Sequence, residues 1–284
     1  MKTHAINASK KLFLLFLLIT SLSVTISAQT TTVALGTLIN IAGKQRMLTQ
    51  RMAKDFVFKA VGTMPEQAQK ELNSSVVLFE EGLKLLQANA YNAEIKSKLD
   101  REEQLWKTYK TSLSSGFSKG TATYILTQNT EILAACEDVV KEYVEYAKTR
   151  PSKGDDDGAT GAAVAANTNT SGRIRMLSQR MSLYYVAYYN GMIDEMGYKI
   201  LKAAADNIGS SFSAVLTSDA NNQEVDDAIS QAIIEWNVIK EKCTKDNCID
   251  FQAKTLDPSV MFEQSNKIVN RADKITQSYA KLLE

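Results

Sequence analysis

The sequence predicts an all-α protein built as two tandem up-and-down four-helix bundles related by a pseudo-twofold axis. Only 3 prolines and 13 glycines interrupt 284 residues, fewer than an all-β protein with many turns needs. A helical motif occurs twice, and a polar, glycine-containing linker separates the two occurrences. Each half divides into four amphipathic segments with short connections, which favour antiparallel neighbours.

The N-terminal segment, residues 1–28, has the pattern of a signal peptide. Lysines precede an apolar run over 12–22, and small residues before Ala28 offer a cleavage position. The run is shorter than the ~20 residues of a spanning helix, so cleavage is favoured over the alternative, a membrane anchor. We therefore expect a periplasmic or secreted protein that is not embedded in a membrane.

Composition excludes several function classes. The single histidine, His4, lies in the segment expected to be removed, which leaves no imidazole for a catalytic triad, a histidine general base or a histidine-ligated metal. We predict no enzyme activity, no cofactor and no metal site. Loss of three lysines with residues 1–28 changes the net charge from +1 to −2, so there is no global reason to bind nucleic acid.

The helices are expected in the same order in both halves. In the first domain, 29–149, they are predicted at 31–61, 65–90, 92–115 and 121–148, with Pro65 in a first turn, where proline is tolerated. Residues 150–165 are predicted to be a flexible linker. In the second domain, 166–284, the helices are predicted at 166–198, 199–217, 222–243 and 258–283.

The repeated motif is the most specific feature of the chain. Residues 40–52 read NIAGKQRMLTQRM and residues 169–181 read NTSGRIRMLSQRM, a shift of 129 residues with eight of thirteen positions identical. Such self-similarity indicates a tandem duplication.

Helical geometry divides the motif into two faces. At about 100° per residue, an apolar stripe forms the natural core face of the first copy: Leu38, Ile41, Leu48, Met52 and Phe56. The opposite face carries Asn40, Gly43, Arg46, Met47, Gln50 and Arg51 in the first copy and Asn169, Gly172, Arg175, Met176, Gln179 and Arg180 in the second.

The second face has two interpretations. A solvated polar stripe does not explain Gly43 and Gly172, since glycine inside a helix costs about 1 kcal/mol relative to alanine and often permits close approach. A contact surface with an embedded polar site explains them better, and the two motif helices would then pair within one chain.

Such pairing brings Arg46 and Arg175 together. Two guanidinium groups repel unless an anion lies between them, and their planar forks suit a small planar oxyanion such as nitrate, nitrite or a carboxylate. Asn40, Asn169, Gln50 and Gln179 would add neutral donors. The competing account pairs the arginines with carboxylates such as Asp55 or Asp194.

The motif resembles the signature of the periplasmic sensor domain shared by nitrate/nitrite sensor kinases (NarX-like) and type IV pilus chemotaxis transducers (PilJ-like), over Asn-x-x-Gly-x-x-Arg-Met-x-x-x-Arg. The resemblance implies a four-helix bundle that dimerises through its first helix. It also implies that Arg46 and Arg175 contact the ligand, while Arg51 and Arg180 match the second arginine. Receptors of this family usually carry a second membrane helix and a cytoplasmic signalling module, which we do not expect here.

Three cysteines follow the predicted cleavage position. Cys243 and Cys248 are close enough in sequence to close a small disulfide loop in an oxidising compartment. Cys136 lies in an apolar helical stretch and is expected to be a buried free thiol.

The leading hypothesis is a periplasmic or secreted, sensor-like binding protein for a small anion, with a membrane receptor or another helical protein as its partner. The alternative is a helical protein-protein interaction module without a small-molecule ligand.

Overall fold

A computed structural model of the protein describes residues 33–149, 159–246 and 248–283. The predicted signal peptide and residues 150–158 of the predicted linker lie outside the described residues. Within these ranges the chain is all-helical, with eight α-helices and one short β-hairpin. The helices are α1 (Leu35–Ala60), α2 (Pro65–Ala88), α3 (Ala93–Leu113), α4 (Lys119–Lys148), α5 (Ala159–Tyr189), α6 (Glu195–Leu216), α7 (Gln223–Cys243) and α8 (Pro258–Lys281). The hairpin strands are β1 (Thr244–Lys245) and β2 (Cys248–Ile249).

Polar caps decide where several helices begin. The side chains of Asn92, Asp194 and Asn222 each accept a hydrogen bond from a backbone N–H in the first turn of the helix that follows, which satisfies a donor without an intrahelical partner. Ser118 and Thr121 form a capping box at the start of α4. Most connections between the helices are short, as the sequence predicts, while 14 residues with the hairpin separate α7 from α8.

Helices α1 and α5 form the centre of the helical bundle. Helix α1 packs against α2, α4 and α5, while α5 packs against α6, α8 and α1. In addition, α3 packs on α4 and α7 packs on α8. The predicted core stripe of α1 is buried, apart from the partly buried Ile41. Its opposite face is buried too, including Arg46, Met47 and Gln50, so the solvated interpretation of that face is wrong.

The boundaries of α5 differ from the prediction. The helix begins at Ala159, inside the segment predicted as a linker, and ends at Tyr189 rather than at 198. Gly191 takes a positive φ of 66° just after the end, a backbone conformation that glycine adopts at little cost. The Asp194 cap then starts α6 at Glu195.

The predicted disulfide is not formed. Cys243 and Cys248 are free thiols, the first buried and the second exposed, while Cys136 is free and buried as predicted. The hairpin pairs Cys248 with Lys245, and Cys243 O accepts a hydrogen bond from Asp250 N at 2.7 Å. The two cysteines are thus diagonal neighbours, whose Cα atoms are typically about 7–8 Å apart, beyond the span of most disulfides.

None of the helices in the described part of the chain is both long enough and apolar enough to cross a membrane.

Thiol labelling of the native protein checks this arrangement of cysteines. We expect a thiol reagent to modify Cys248 quickly and Cys136 and Cys243 only on unfolding, because burial raises the pKa of Cys136 and raises that of Cys243 to about 11, and the thiolate is the reactive form. The Cys248→Ser variant should show no fast labelling. An intact mass short of two hydrogens, with no fast-labelling thiol, would show that the hairpin is oxidised.

Candidate functional site

The two motif copies meet where α1 and α5 pack together. Arg46 Nη2 donates to the backbone carbonyl of Asn169 at 3.3 Å, and Arg175 Nη2 donates to that of Asn40 at 3.3 Å. Further along both helices, Arg51 contacts Gln179. Gly43 and Gly172 lie at the same level of the contact, and Arg51 and Gln179 lie together further along it. Residue numbers therefore rise in the same direction on both helices, so α1 and α5 run parallel. Arg46 and Arg175 are both fully buried there, with 0% of their surface exposed.

The motif glycines make room for the two guanidinium groups. A Cβ atom added to Gly43 would lie 3.3 Å from Arg175 Nη2 and 3.5 Å from Arg46 Nη2. One added to Gly172 would lie 3.3 Å from each of the same two atoms. The sequence therefore predicts close approach correctly, but arginine side chains, rather than the partner backbone, occupy the space.

Each buried arginine is paired with a carboxylate from the last helix of its own half. Arg46 Nη1 lies 2.6 Å from Glu137 Oε2 on α4, and Arg175 Nη1 forms an ion pair with Asp273 Oδ1 on α8. Arg173, which lies two residues before Arg175, also pairs with Glu137, with Nη2 3.0 Å from Oε1. The competing account was thus right about carboxylate pairing.

That account named the wrong carboxylates. Asp55 lies beside Lys54, with Nζ 3.2 Å from Oδ1, and Asp194 caps α6. Glu137 and Asp273 were missed because no recognisable motif surrounds them. Glu137 and Asp273 lie at different distances from the ends of α4 and α8, so aligning these two helices does not match them.

Four buried polar atoms at the crossing, where Gly43 of α1 and Gly172 of α5 lie beside the two arginines, have no hydrogen-bond partner among the described residues. They are Nε of Arg46, Nε of Arg175 and the Oδ1 atoms of Asn40 and Asn169. A buried polar group without a partner costs about 1–3 kcal/mol. Asn40 and Asn169 were predicted to donate through their side chains, but they contact the arginines through their backbone carbonyls. The two arginine Nε–H groups remain free to donate.

Burial governs the electrostatics of the pair. It lowers the pKa of Arg46 and of Arg175, and the adjacent Glu137 and Asp273 oppose that effect. Burial alone would raise the pKa of Glu137, but the Arg46 and Arg173 guanidinium groups outweigh it and lower that pKa. Glu137 is therefore ionised at neutral pH, and the pair is held by charge-assisted hydrogen bonds.

The second arginine of each motif copy lies about one turn further on. Arg180 Nη1 donates to Gln50 Oε1 at 2.8 Å and to Asn129 Oδ1 at 3.1 Å, while Arg51 Nε donates to Gln179 Oε1 at 3.5 Å. Unlike Arg46 and Arg175, these two arginines have no carboxylate within ion-pair distance among the described residues. Gln50, Gln179, Arg51 and Arg180 thus form a separate layer from the glycine crossing.

A polar cluster occupies the core of the first half. Gln45 Nε2 donates to the carbonyl of Phe79 at 2.9 Å and lies 3.5 Å from Glu102 Oε1. Burial raises the pKa of Glu102 to about 7, against opposing hydrogen bonds from Cys136 and Gln45. In the second motif copy Ile174 takes the place of Gln45, so the two halves differ in core polarity.

Fold and site together define a helical, sensor-like domain. Residues 32–134 match the family model described as the N-terminal domain of type IV pili methyl-accepting chemotaxis transducers (PilJ). A PilJ-like domain therefore spans most of the first half, and domains of this non-catalytic sensor family are usually periplasmic. No curated protein and no solved structure matches the chain.

Substitution of the motif glycine tests the crossing. In Gly43→Leu the added atoms must displace both guanidinium groups, so we expect a loss of about 1–3 kcal/mol in the free energy of unfolding, as for overpacked cores. Gly209→Leu is the matched control, because that helical glycine has nothing within 4 Å of an added Cβ, and leucine should stabilise the helix slightly. Equal effects of the two substitutions in chemical denaturation would contradict a tight crossing at Gly43.

The pH dependence of stability tests the buried Glu102. Because its pKa in the folded protein is about 7 against an ordinary 4.5, its contribution is fully present below 4.5 and is lost as the pH rises through 7. The loss is on the order of 3 kcal/mol. We expect Glu102→Gln to unfold with a flatter pH profile and to be more stable than the wild type at pH 8.

Two features refine that experiment. Burial also raises the pKa of Asp55 to about 7, so part of the slope should persist in the variant. Glu103→Gln is the control, since the neighbouring Lys107 and Gln87 lower the pKa of Glu103 instead. If Glu102→Gln and Glu103→Gln gave the same pH profile, a buried, protonated Glu102 would be ruled out.

Proposed function

We propose that this protein binds a small planar anion, such as nitrate, nitrite or a small carboxylate, between the two motif helices. One observation carries the proposal. Arg46 and Arg175 are fully buried against the same glycine-lined space, and each keeps an Nε–H without a partner. Guanidinium donors in a dry site are the groups that recognise planar oxyanions.

The proposal includes a specific architecture, in which two tandem four-helix bundles are related by a pseudo-twofold axis. The reciprocal bonds from Arg46 to Asn169 and from Arg175 to Asn40 support it. So do the parallel packing of α1 on α5 and the pairing of each buried arginine with a carboxylate on the last helix of its half. One chain would then supply both halves of a site that two first helices form in the family that the motif resembles.

We further propose that the protein is exported by the N-terminal signal peptide and acts in the periplasm or outside the cell. Its PilJ-like domain supports the periplasm. A membrane receptor or another helical protein would be its partner and would receive the ligand-bound form.

A second candidate function is a helical interaction module that binds no small molecule. The two ion pairs favour it, because Glu137 and Asp273 already neutralise both buried arginines. A buried guanidinium whose charge a carboxylate already balances needs no exogenous anion to neutralise it. The two functions differ in whether an anion binds the folded protein.

Calorimetric titration of the mature protein with nitrate, nitrite and formate distinguishes them. A charge-assisted hydrogen bond contributes about 1.5–3 kcal/mol, so Arg46→Ala or Arg175→Ala should weaken binding about ten- to a hundredfold. Lysine at either position keeps the charge without the planar fork and should recover only part of the affinity. The double alanine variant should lose little more, because both arginines act on one ligand.

The Arg101→Ala variant is a useful control, since it removes an exposed guanidinium that pairs with Asp138 and has no contact with Glu137 or with the motif glycines. Circular dichroism should establish that all variants remain helical. Equal binding by wild type and both single alanine variants, or binding by none, would reject the anion site and favour the interaction module.

A further inference from the structure

The charges buried at the crossing already balance. Two guanidinium groups with no exposed surface face two carboxylates that are only 18% and 28% exposed, Glu137 and Asp273 respectively. Further positive charge comes from Arg173, whose side chain is 47% exposed, and from Arg51, which repels Arg175. Because solvent screens these outer charges, the interior has little excess positive charge to offer a ligand.

We propose that Glu137 and Asp273 determine the charge selectivity of this site, so that it accepts singly charged anions and rejects doubly charged ones. This inference rests on the anion site proposed above and adds the residues that set its specificity. A single negative charge can be held by the two free Nε–H groups. A second would lie close to two carboxylates, and like charges a few ångströms apart in a site of low dielectric repel strongly.

The carboxylates are fixed in place by additional partners. Glu137 Oε1 accepts a hydrogen bond from Arg173 Nη2 at 3.0 Å, while Glu137 Oε2 accepts one from Arg46 Nη1. Asp273 Oδ2 accepts a hydrogen bond from Gln277 Nε2 at 2.6 Å while its Oδ1 holds Arg175. Neither carboxylate can turn away from its arginine without losing a second bond, so a ligand meets both of them in place.

Site charge, rather than shape, then decides which anions bind. Glu137→Gln and Asp273→Asn keep the size of each side chain and remove one negative charge each. With both substitutions the buried guanidinium pair carries two uncompensated charges, the charge that a dianion matches. The preference for monoanions over dianions should therefore invert. If these two residues had only a structural role, their substitution would not invert that preference.

The experiment measures binding of sodium nitrate and sodium sulfate to wild type, to both single variants and to the double variant at constant ionic strength. Formate and oxalate form a second pair, which separates charge from the tetrahedral shape of sulfate. We expect the wild type to prefer each monoanion by about tenfold or more, and the double variant to lose or reverse that preference. Asp138→Asn, which removes a partly exposed carboxylate one residue from Glu137, should leave the ratio unchanged.

The outcomes separate this inference from the proposed function. An unchanged monoanion-to-dianion ratio in the double variant, or equal affinity of the wild type for both classes, overturns the inference even if nitrate binds. If the wild type binds neither class but the double variant binds dianions, the proposed function fails and the role of the carboxylates stands. Failure of every folded protein to bind any anion rejects both. If the double variant does not fold, the single variants decide, each with an expected shift of about threefold or more in the ratio.

Discussion

The burial of two guanidinium groups between parallel helices is the constraint on which the rest of the structure depends. Arg46 and Arg175 can both lie at the α1–α5 crossing only because glycines leave room beside them. Their charges can be buried only because α4 and α8 deliver Glu137 and Asp273. A buried charge whose partner is removed typically costs about 3–5 kcal/mol. The positions of α4 on α1 and of α8 on α5 are therefore coupled to this one electrostatic arrangement, and so is the association of the two halves of the chain.

The sequence predicted those parts of the site that the duplication repeats. Two copies of one motif, with glycine and arginine on the face opposite the core stripe, indicated that the copies contact each other and that the arginines meet. The prediction worked because reciprocal contacts such as Arg46 to Asn169 and Arg175 to Asn40 require the same residues on both helices. It stopped at Glu137 and Asp273, because the ion pairs depend on the tertiary placement of α4 and α8, where the sequence has no shared motif. The hairpin register likewise depends on local pairing that the spacing of Cys243 and Cys248 does not reveal.

The two halves differ in their buried polar residues away from the crossing. The first half buries Gln45 and Glu102, while the second places Ile174 at the motif position of Gln45.

Lys54 is also fully buried and contacts Glu71 on α2 and Asn266 on α8, at 3.2 and 2.9 Å. Asn266 in turn donates to Glu71 and accepts from Gln179. This network joins α8 to α1, α2 and α5, so the halves are held together by a second polar contact that does not involve the arginine pair. A local opening of the crossing would therefore leave this second contact between the halves in place.

Local opening matters because the guanidinium pair has no surface exposed to solvent. An anion can reach it only if side chains or helices move, and the two partly exposed carboxylates are where the pair comes nearest to solvent. If opening occurs by helix movement, it moves α4 at Glu137 and α8 at Asp273, because those helices carry the two carboxylates. Ligand binding would therefore be coupled to a shift of the last helix in one or both halves. A ligand that binds the open and closed arrangements with different affinity shifts the balance between them by that difference. If an anion binds as proposed, such a shift would change the outer surface of the bundle, where a partner protein would detect it.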